Sequence, residues 1–104
     1  MTDPGYAAFR VTVERSDGRV VLTCSGELDL ATADELTTAV TAVLQDRPDS
    51  ILIAFHDDTF VDSSGLRALL EAVQDCRDAS IRVRVRATLQ RLLDLVQIDV
   101  PREQ

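Results

Sequence analysis

The densest group of reactive side chains runs from His56 to Gly65: His56-Asp57-Asp58, then Phe60-Val61-Asp62-Ser63-Ser64-Gly65-Leu66. Asp and Ser oxygens accept the first unpaired amide protons of a helix, so Asp62, Ser63 and Ser64 mark a strand-to-helix junction. The positive end of the helix dipole and its free amides would tolerate, even favour, a phosphate on Ser63 or Ser64. That phosphate would add roughly −1.5 to −2 charges beside Asp62. Its effect belongs at a docking surface, through repulsion and bulk, rather than in unfolding. Gly65 has no Cβ and would let a partner's backbone approach closely. Plain helix capping is the commoner use of Asp-Ser-Ser-Gly, and the motif alone favours it.

Other chemistries fit less well. A hydrolase could be assembled from His56, Asp57, Asp58, Asp62, Ser63 and Ser64, but a nucleophile elbow needs Gly two residues before the serine, where Val61 stands. His56 is the only histidine, and nothing in the sequence aims it at Ser63. No catalytic residue is assigned and no enzyme is expected. Adjacent carboxylates such as Asp57-Asp58 point in different directions and do not by themselves converge on an ion. Phospho-aspartate chemistry of the receiver type also needs a lysine, and every basic residue here is an arginine. A solvated acidic loop is the preferred reading, with no metal and no cofactor. Cys24 and Cys76 form neither a C-x-x-C motif nor a zinc spacing and read as reduced core thiols. Arg82, Arg84 and Arg86 make a basic stripe. The preferred reading is an outer strand guarded by charge against aggregation; docking of an acidic partner surface is the alternative.

The elements that must position these residues follow from periodicity. Phe9, Val11 and Val13 alternate with polar residues, Ser16-Asp17-Gly18 is a turn, and Val20, Leu22 and Cys24 continue the alternation. This predicts an antiparallel hairpin closed by Gly26. Thr32-Ala33-Asp34-Glu35 has the form of a capping box, opening a helix with Leu36, Val40, Val43 and Leu44 on one face; Arg47-Pro48-Asp49 ends it. Ile51 to Phe55 shows no alternation, which suits a strand covered on both faces. Leu66, Leu69, Leu70 and Val73, with Ala72 and Cys76, give a second helix beginning near Asp62 to Ser64. Ile81, Val83 and Val85 predict a fourth strand with one charged face. Thr88 opens a third helix carrying Leu89, Leu92, Leu93 and Val96. The order β-β-α-β-α-β-α predicts an α/β sandwich: a mixed sheet of four to five strands starting with an antiparallel hairpin, its helices mainly on one face.

The chain has 104 residues, 45% hydrophobic and 28% charged, which fits one domain with one modest core. That domain spans 1–104, with its core over about 9–98 and fraying ends. The longest uninterrupted apolar run, Ile51 to Phe55, falls far short of the ~20 residues of a membrane-spanning helix. No secretory signal is visible, so the cytoplasm is expected. A net charge of −7 argues against nucleic acid or anionic lipid as partners, and 4% aromatic residues argue against a base-stacking surface.

Three blocks carry a resemblance: Gly26-Glu27-Leu28-Asp29 followed by Thr32-Ala33, then Phe60-Val61-Asp62-Ser63-Ser64-Gly65-Leu66, then Leu89-Gln90-Arg91-Leu92-Leu93-Asp94-Leu95. Together, and in register with the β/α pattern, they look like the STAS-domain anti-sigma factor antagonists of bacteria. The resemblance implies a protein that, unphosphorylated, binds an anti-sigma factor which is also a serine kinase of the GHKL type, and so frees a sigma factor. It implies phosphorylation of Ser63, with Ser64 as second choice, that breaks the complex, and a serine phosphatase that restores it. It also places Asp29 beside the site, with Asp62 and Ser64 as neighbours of Ser63. The partner-binding surface expected there is Asp29, Asp62, Ser63, Ser64, Gly65, Leu66 and Arg67, framed in part by Val61. The sequence leaves the oligomeric state open, with a monomer favoured. The alternative is a STAS interaction module of another stress-signalling complex or a transporter-regulating system, without sigma-factor control.

Overall fold

The computed structural model describes residues 9–56 and 59–86. Strands β1 (Arg10–Ser16) and β2 (Arg19–Ser25) form the expected antiparallel hairpin. Its two-residue turn has Asp17 and Gly18 both at positive φ, 51° and 79°, the backbone twist that joins adjacent strands most directly. After Gly26 the chain makes a two-residue strand, β3 (Glu27–Leu28), and then helix α1 (Ala33–Leu44). Strand β4 (Ser50–Phe55), a second two-residue strand β5 (Phe60–Val61), helix α2 (Ser63–Asp78) and strand β6 (Arg82–Arg86) complete the described order. The proposed third helix from Thr88 lies outside the described residues.

The main sheet has the order β1-β2-β4-β6. The first pairing is antiparallel, and β2-β4 and β4-β6 are parallel, so the sheet is mixed. Both helices pack against one face. That face presents Val20, Leu22 and Cys24 from β2, Ile51, Ile53 and Phe55 from β4, and Val83 and Val85 from β6, all buried. Leu36, Val40 and Val43 of α1 and Leu66, Leu69, Ala72, Val73 and Cys76 of α2 close the core over them. The helical spacings read from the sequence thus select the buried faces, with Leu44 and Leu70 partly buried at the margins.

Three local expectations need correction. Phe9, just before β1, is buried, while within β1 Val11 is only half-buried and Val13 is 36% exposed. Among the described residues β1 ends the sheet, and α1 makes only a glancing contact with it. The uninterrupted run in β4 does not mean equal cover on both faces. Ala54 is buried but Leu52, on the face away from the helices, is only half-buried. The capping box does not form either. Thr32 precedes α1, but its side chain makes no cap hydrogen bond to the helix. The hydroxyl instead donates to the Glu27 carbonyl at 2.7 Å and accepts from the Asp29 amide at 2.9 Å, pinning the loop between β3 and α1.

Candidate functional site

The two short strands create the site. They pair in parallel, with Glu27 opposite Phe60 and Leu28 opposite Val61. The Phe60 amide donates to the Gly26 carbonyl, and the Asp62 amide donates to the Leu28 carbonyl, each at 3.2 Å. This bridge holds the loop after β3 against the entrance of α2. Strands of two residues are too short to leave a periodic signal, which is why sequence patterning missed them.

Asp62 is the N-cap of α2, as its position suggested. Its backbone is extended, and its carboxylate accepts from the Gly65 amide at 2.9 Å. The Leu66 amide donates to the Asp62 carbonyl at 2.8 Å and starts the helical ladder. Ser63 and Ser64 are the first two helical residues, and their amides have no acceptor within the helix. Ser63 is exposed and Ser64 half-buried. The difference follows from helix geometry: Ser63 shares its face with exposed Arg67 four residues on, whereas Ser64 shares its face with buried Ala68. Among the described residues the Ser63 hydroxyl has no hydrogen-bond partner.

Two residues expected on the partner surface point inward. Leu66 is only 7% exposed and joins the core, as does Val61 at 8%. Gly65 is also buried, and its missing Cβ serves the chain itself. A Cβ there would overlap the Leu28 carbonyl oxygen and meet the Leu28 carbonyl carbon at 2.7 Å. Helix α2 therefore sits hard against β3, and the close approach assigned to a partner's backbone is made internally. Asp29 lies at this end of the molecule, half-buried, but its carboxylate is engaged in its own loop. One oxygen accepts from the Ala31 amide at 3.0 Å and from the Thr32 amide at 3.1 Å.

Two other apolar residues on the joined segments are exposed: Phe60, which heads the Asp-Ser-Ser-Gly block but was not assigned to the partner surface, and Leu30, which the sequence reading did not name. Phe60 is 56% exposed and Leu30 is 80% exposed. Phe60 follows from simple alternation, since Val61 faces in within β5; Leu30 does not, because β3 ends at Leu28 and Leu30 lies in the turn that follows. Because β3 and β5 run parallel, Leu30 follows the end of the mini-sheet from which α2 departs, whereas Phe60 stands one residue back, opposite Glu27. Leu in a turn beside Asp29, and an aromatic at the start of the Asp-Ser-Ser-Gly block, were the available signals. His56 is exposed and anchored by its backbone amide to the Cys24 carbonyl at 3.0 Å; Asp57 and Asp58 lie outside the described residues.

The surface assembled here joins an unpartnered serine hydroxyl, a capped helix start, a pinned loop and two exposed apolar side chains. A model of the STAS domain matches residues 10–99. No curated protein matches the chain. Among solved structures, an anti-sigma factor antagonist from Mycobacterium paratuberculosis superposes with a TM-score of 0.77 at 27% identity, over 98% of this chain and 89% of that one. The anti-sigma factor antagonist SpoIIAA in its unphosphorylated form superposes with a TM-score of 0.64 at 20% identity, over 93% of this chain and 88% of that one, a likeness of fold. With a matching model that spans the hairpin, both helices and the strands between them, the chain belongs to the STAS domain family.

Proposed function

We propose that this protein is an anti-sigma factor antagonist switched by phosphorylation of Ser63. Unphosphorylated, it binds an anti-sigma factor that is also a serine kinase of the GHKL type, and a sigma factor is released. The kinase transfers the γ-phosphoryl group of ATP to the Ser63 oxygen: the new O–P bond replaces the bond to ADP, and the hydroxyl proton passes to a base of the kinase. A serine phosphatase reverses the step by hydrolysis. The protein itself is not an enzyme in this scheme, works in the cytoplasm, and needs no cofactor.

The observation that carries the reading is the setting of Ser63. Its hydroxyl is exposed and unpartnered at the first position of α2, just after the strand that bears exposed Phe60, and the pairing of that strand with β3 brings in the chain segment that continues to exposed Leu30. In this reading the apolar pair gives a partner buried contact area on the segments joined to the serine. A dianion there faces the free amides of the helix and Arg67 one turn along, so the fold accommodates it. The partner's apolar surface does not, because burying a doubly charged group without pairing is costly. The family and the likeness to anti-sigma factor antagonists support the reading.

Incubation with the cognate kinase and ATP is expected to place phosphate on Ser63, and Ser63→Ala is expected to abolish it. Ser63→Glu is expected to weaken binding to the kinase at least tenfold while moving the melting temperature by less than about 3 °C. Phosphorylation of the Ser63→Ala protein at an unchanged rate would transfer the role to Ser64. A pull-down that recovers a transporter or a large stress complex, with no sigma-regulating kinase, would favour the other STAS interaction modules.

A further inference from the structure

The face of the sheet turned away from the helices carries a second surface that the switch does not use. Pairing register places Val21, Leu52 and Arg84 side by side, with Arg19, Ser50 and Arg82 as the next row. A groove of about 480 Å³ lies over these rows at the end of the sheet where β2, β4 and β6 begin. Its floor is half-buried Val21 and Leu52, and its walls include exposed Arg19, Arg82 and Arg84. Among the described residues the only ion pair is Arg15 with Asp46, on the other face, so these three guanidinium groups have no carboxylate partner. In a chain with eighteen acidic and eleven basic residues, three arginines around one apolar floor form a local reversal of charge among the described residues. Glu14 is the one acidic residue in the lining. A charge guard against edge pairing would need the arginines of β6 alone; it does not account for Arg19 across the sheet or for the apolar floor.

We infer that this groove docks an extended acidic segment of a partner protein, at a surface distinct from the Ser63 site. The groove crosses four strands, roughly 14 Å at the usual strand spacing, which is the reach of about four extended residues. In an extended segment, side chains alternate between two faces, so carboxylates can meet Arg19, Arg82 and Arg84 while apolar side chains cover Val21 and Leu52. Attraction of this kind is weak per pair and sensitive to salt, and suits a reversible contact.

The probe is a blocked eight-residue peptide of alternating Glu and Val, titrated into the isotopically labelled full chain and followed by amide resonances. At about 20 mM salt the wild type is expected to bind, with shifts confined to Val21, Leu52, Arg82, Arg84 and their neighbours, and to bind at least tenfold more weakly at about 300 mM. Arg82→Glu with Arg84→Glu is expected to lower the affinity more than tenfold, and Arg82→Gln with Arg84→Gln to lower it less. Ser63→Glu is expected to leave it unchanged. Absence of binding, equal affinity of the charge-reversed protein, or shifts elsewhere would overturn the inference. So would inorganic phosphate displacing the peptide at equal concentration, which marks a small-anion site, or concentration-dependent shifts of the same amides without peptide, which mark a second copy of this chain as the occupant.

Discussion

At residue scale the site depends on where four consecutive side chains point. Asp62 turns its carboxylate onto the Gly65 amide, Ser63 turns outward with Arg67, Ser64 turns partly inward, and Gly65 yields its space to the Leu28 carbonyl. The glycine is the residue whose replacement tests this packing most directly. In an exposed helix Gly→Ala would stabilise by about 1 kcal/mol through propensity. Here the new methyl group meets backbone rather than a yielding side chain, so α2 or β3 must shift. Gly65→Ala is therefore expected to lower the unfolding free energy in urea by about 1–3 kcal/mol, in spite of the propensity gain. It should also speed hydrogen exchange at the Asp62 amide, which donates to Leu28. A stabilised Gly65→Ala protein would mean that α2 does not sit tightly on β3. The sequence marked Gly65 as a place of close approach, but not what approaches, because the answer comes from a carbonyl thirty-seven positions earlier in the chain.

At the scale of elements, the long periodic segments were legible and the short connecting ones were not. α1, α2, β2 and β6 each carry enough apolar residues at one period to declare their buried side, and the structure turns that side to the core. β3 and β5 have two residues each and exist only through each other and through the hydrogen bonds from Phe60 to Gly26 and from Asp62 to Leu28. Thr32 shows the same limit. Its spacing from Glu35 matches a capping box, yet its hydroxyl is better placed for the Glu27 carbonyl and the Asp29 amide, because β3 holds those groups beside it. The exchange has a measurable consequence. Thr32→Val keeps the shape and loses both hydrogen bonds, leaving a half-buried amide and carbonyl unsatisfied. It is expected to cost about 1–3 kcal/mol and to loosen the loop bearing Asp29 and Leu30, seen as faster exchange at the Asp29 amide. Thr32→Ser restores the hydroxyl and should recover most of the loss. If Val and Ser at this position behaved alike, the loop would be held by the β3-β5 pairing alone.

At the scale of the molecule, the sheet separates two surfaces and encloses a core with no buried polar or charged side chain among the described residues. The Ser63 surface lies where α2 leaves β5, and the arginine groove lies on the opposite sheet face near the starts of β2, β4 and β6. A charge added at either place stays outside the core, so a switch at one surface need not disturb the fold. The core's own response to pH comes from its thiols, Cys24 on β2 and Cys76 on α2, both buried and free. Burial pushes Cys24 from 9.0 to about 12. Burial, with a smaller contribution from the Asp75 carboxylate, pushes Cys76 from 9.0 to about 11. Below pH 9.0 both thiols are protonated in the folded and unfolded chains, and their full contribution to stability is present. Above it the unfolded chain releases protons that the folded chain retains, so stability falls with rising pH until each folded thiol ionises in turn. The slope is about 1.4 kcal/mol per pH unit for each thiol while only the unfolded form is ionised. Urea unfolding of the wild type and of a Cys24→Ala, Cys76→Ala protein from neutral pH to about pH 10.5 isolates this effect. The double variant starts less stable because each truncation leaves a cavity. The two curves are expected to run parallel below pH 9 and to converge above it, since only the wild type carries the thiol penalty. Curves that stay parallel throughout would show that the thiols reach water in the folded protein.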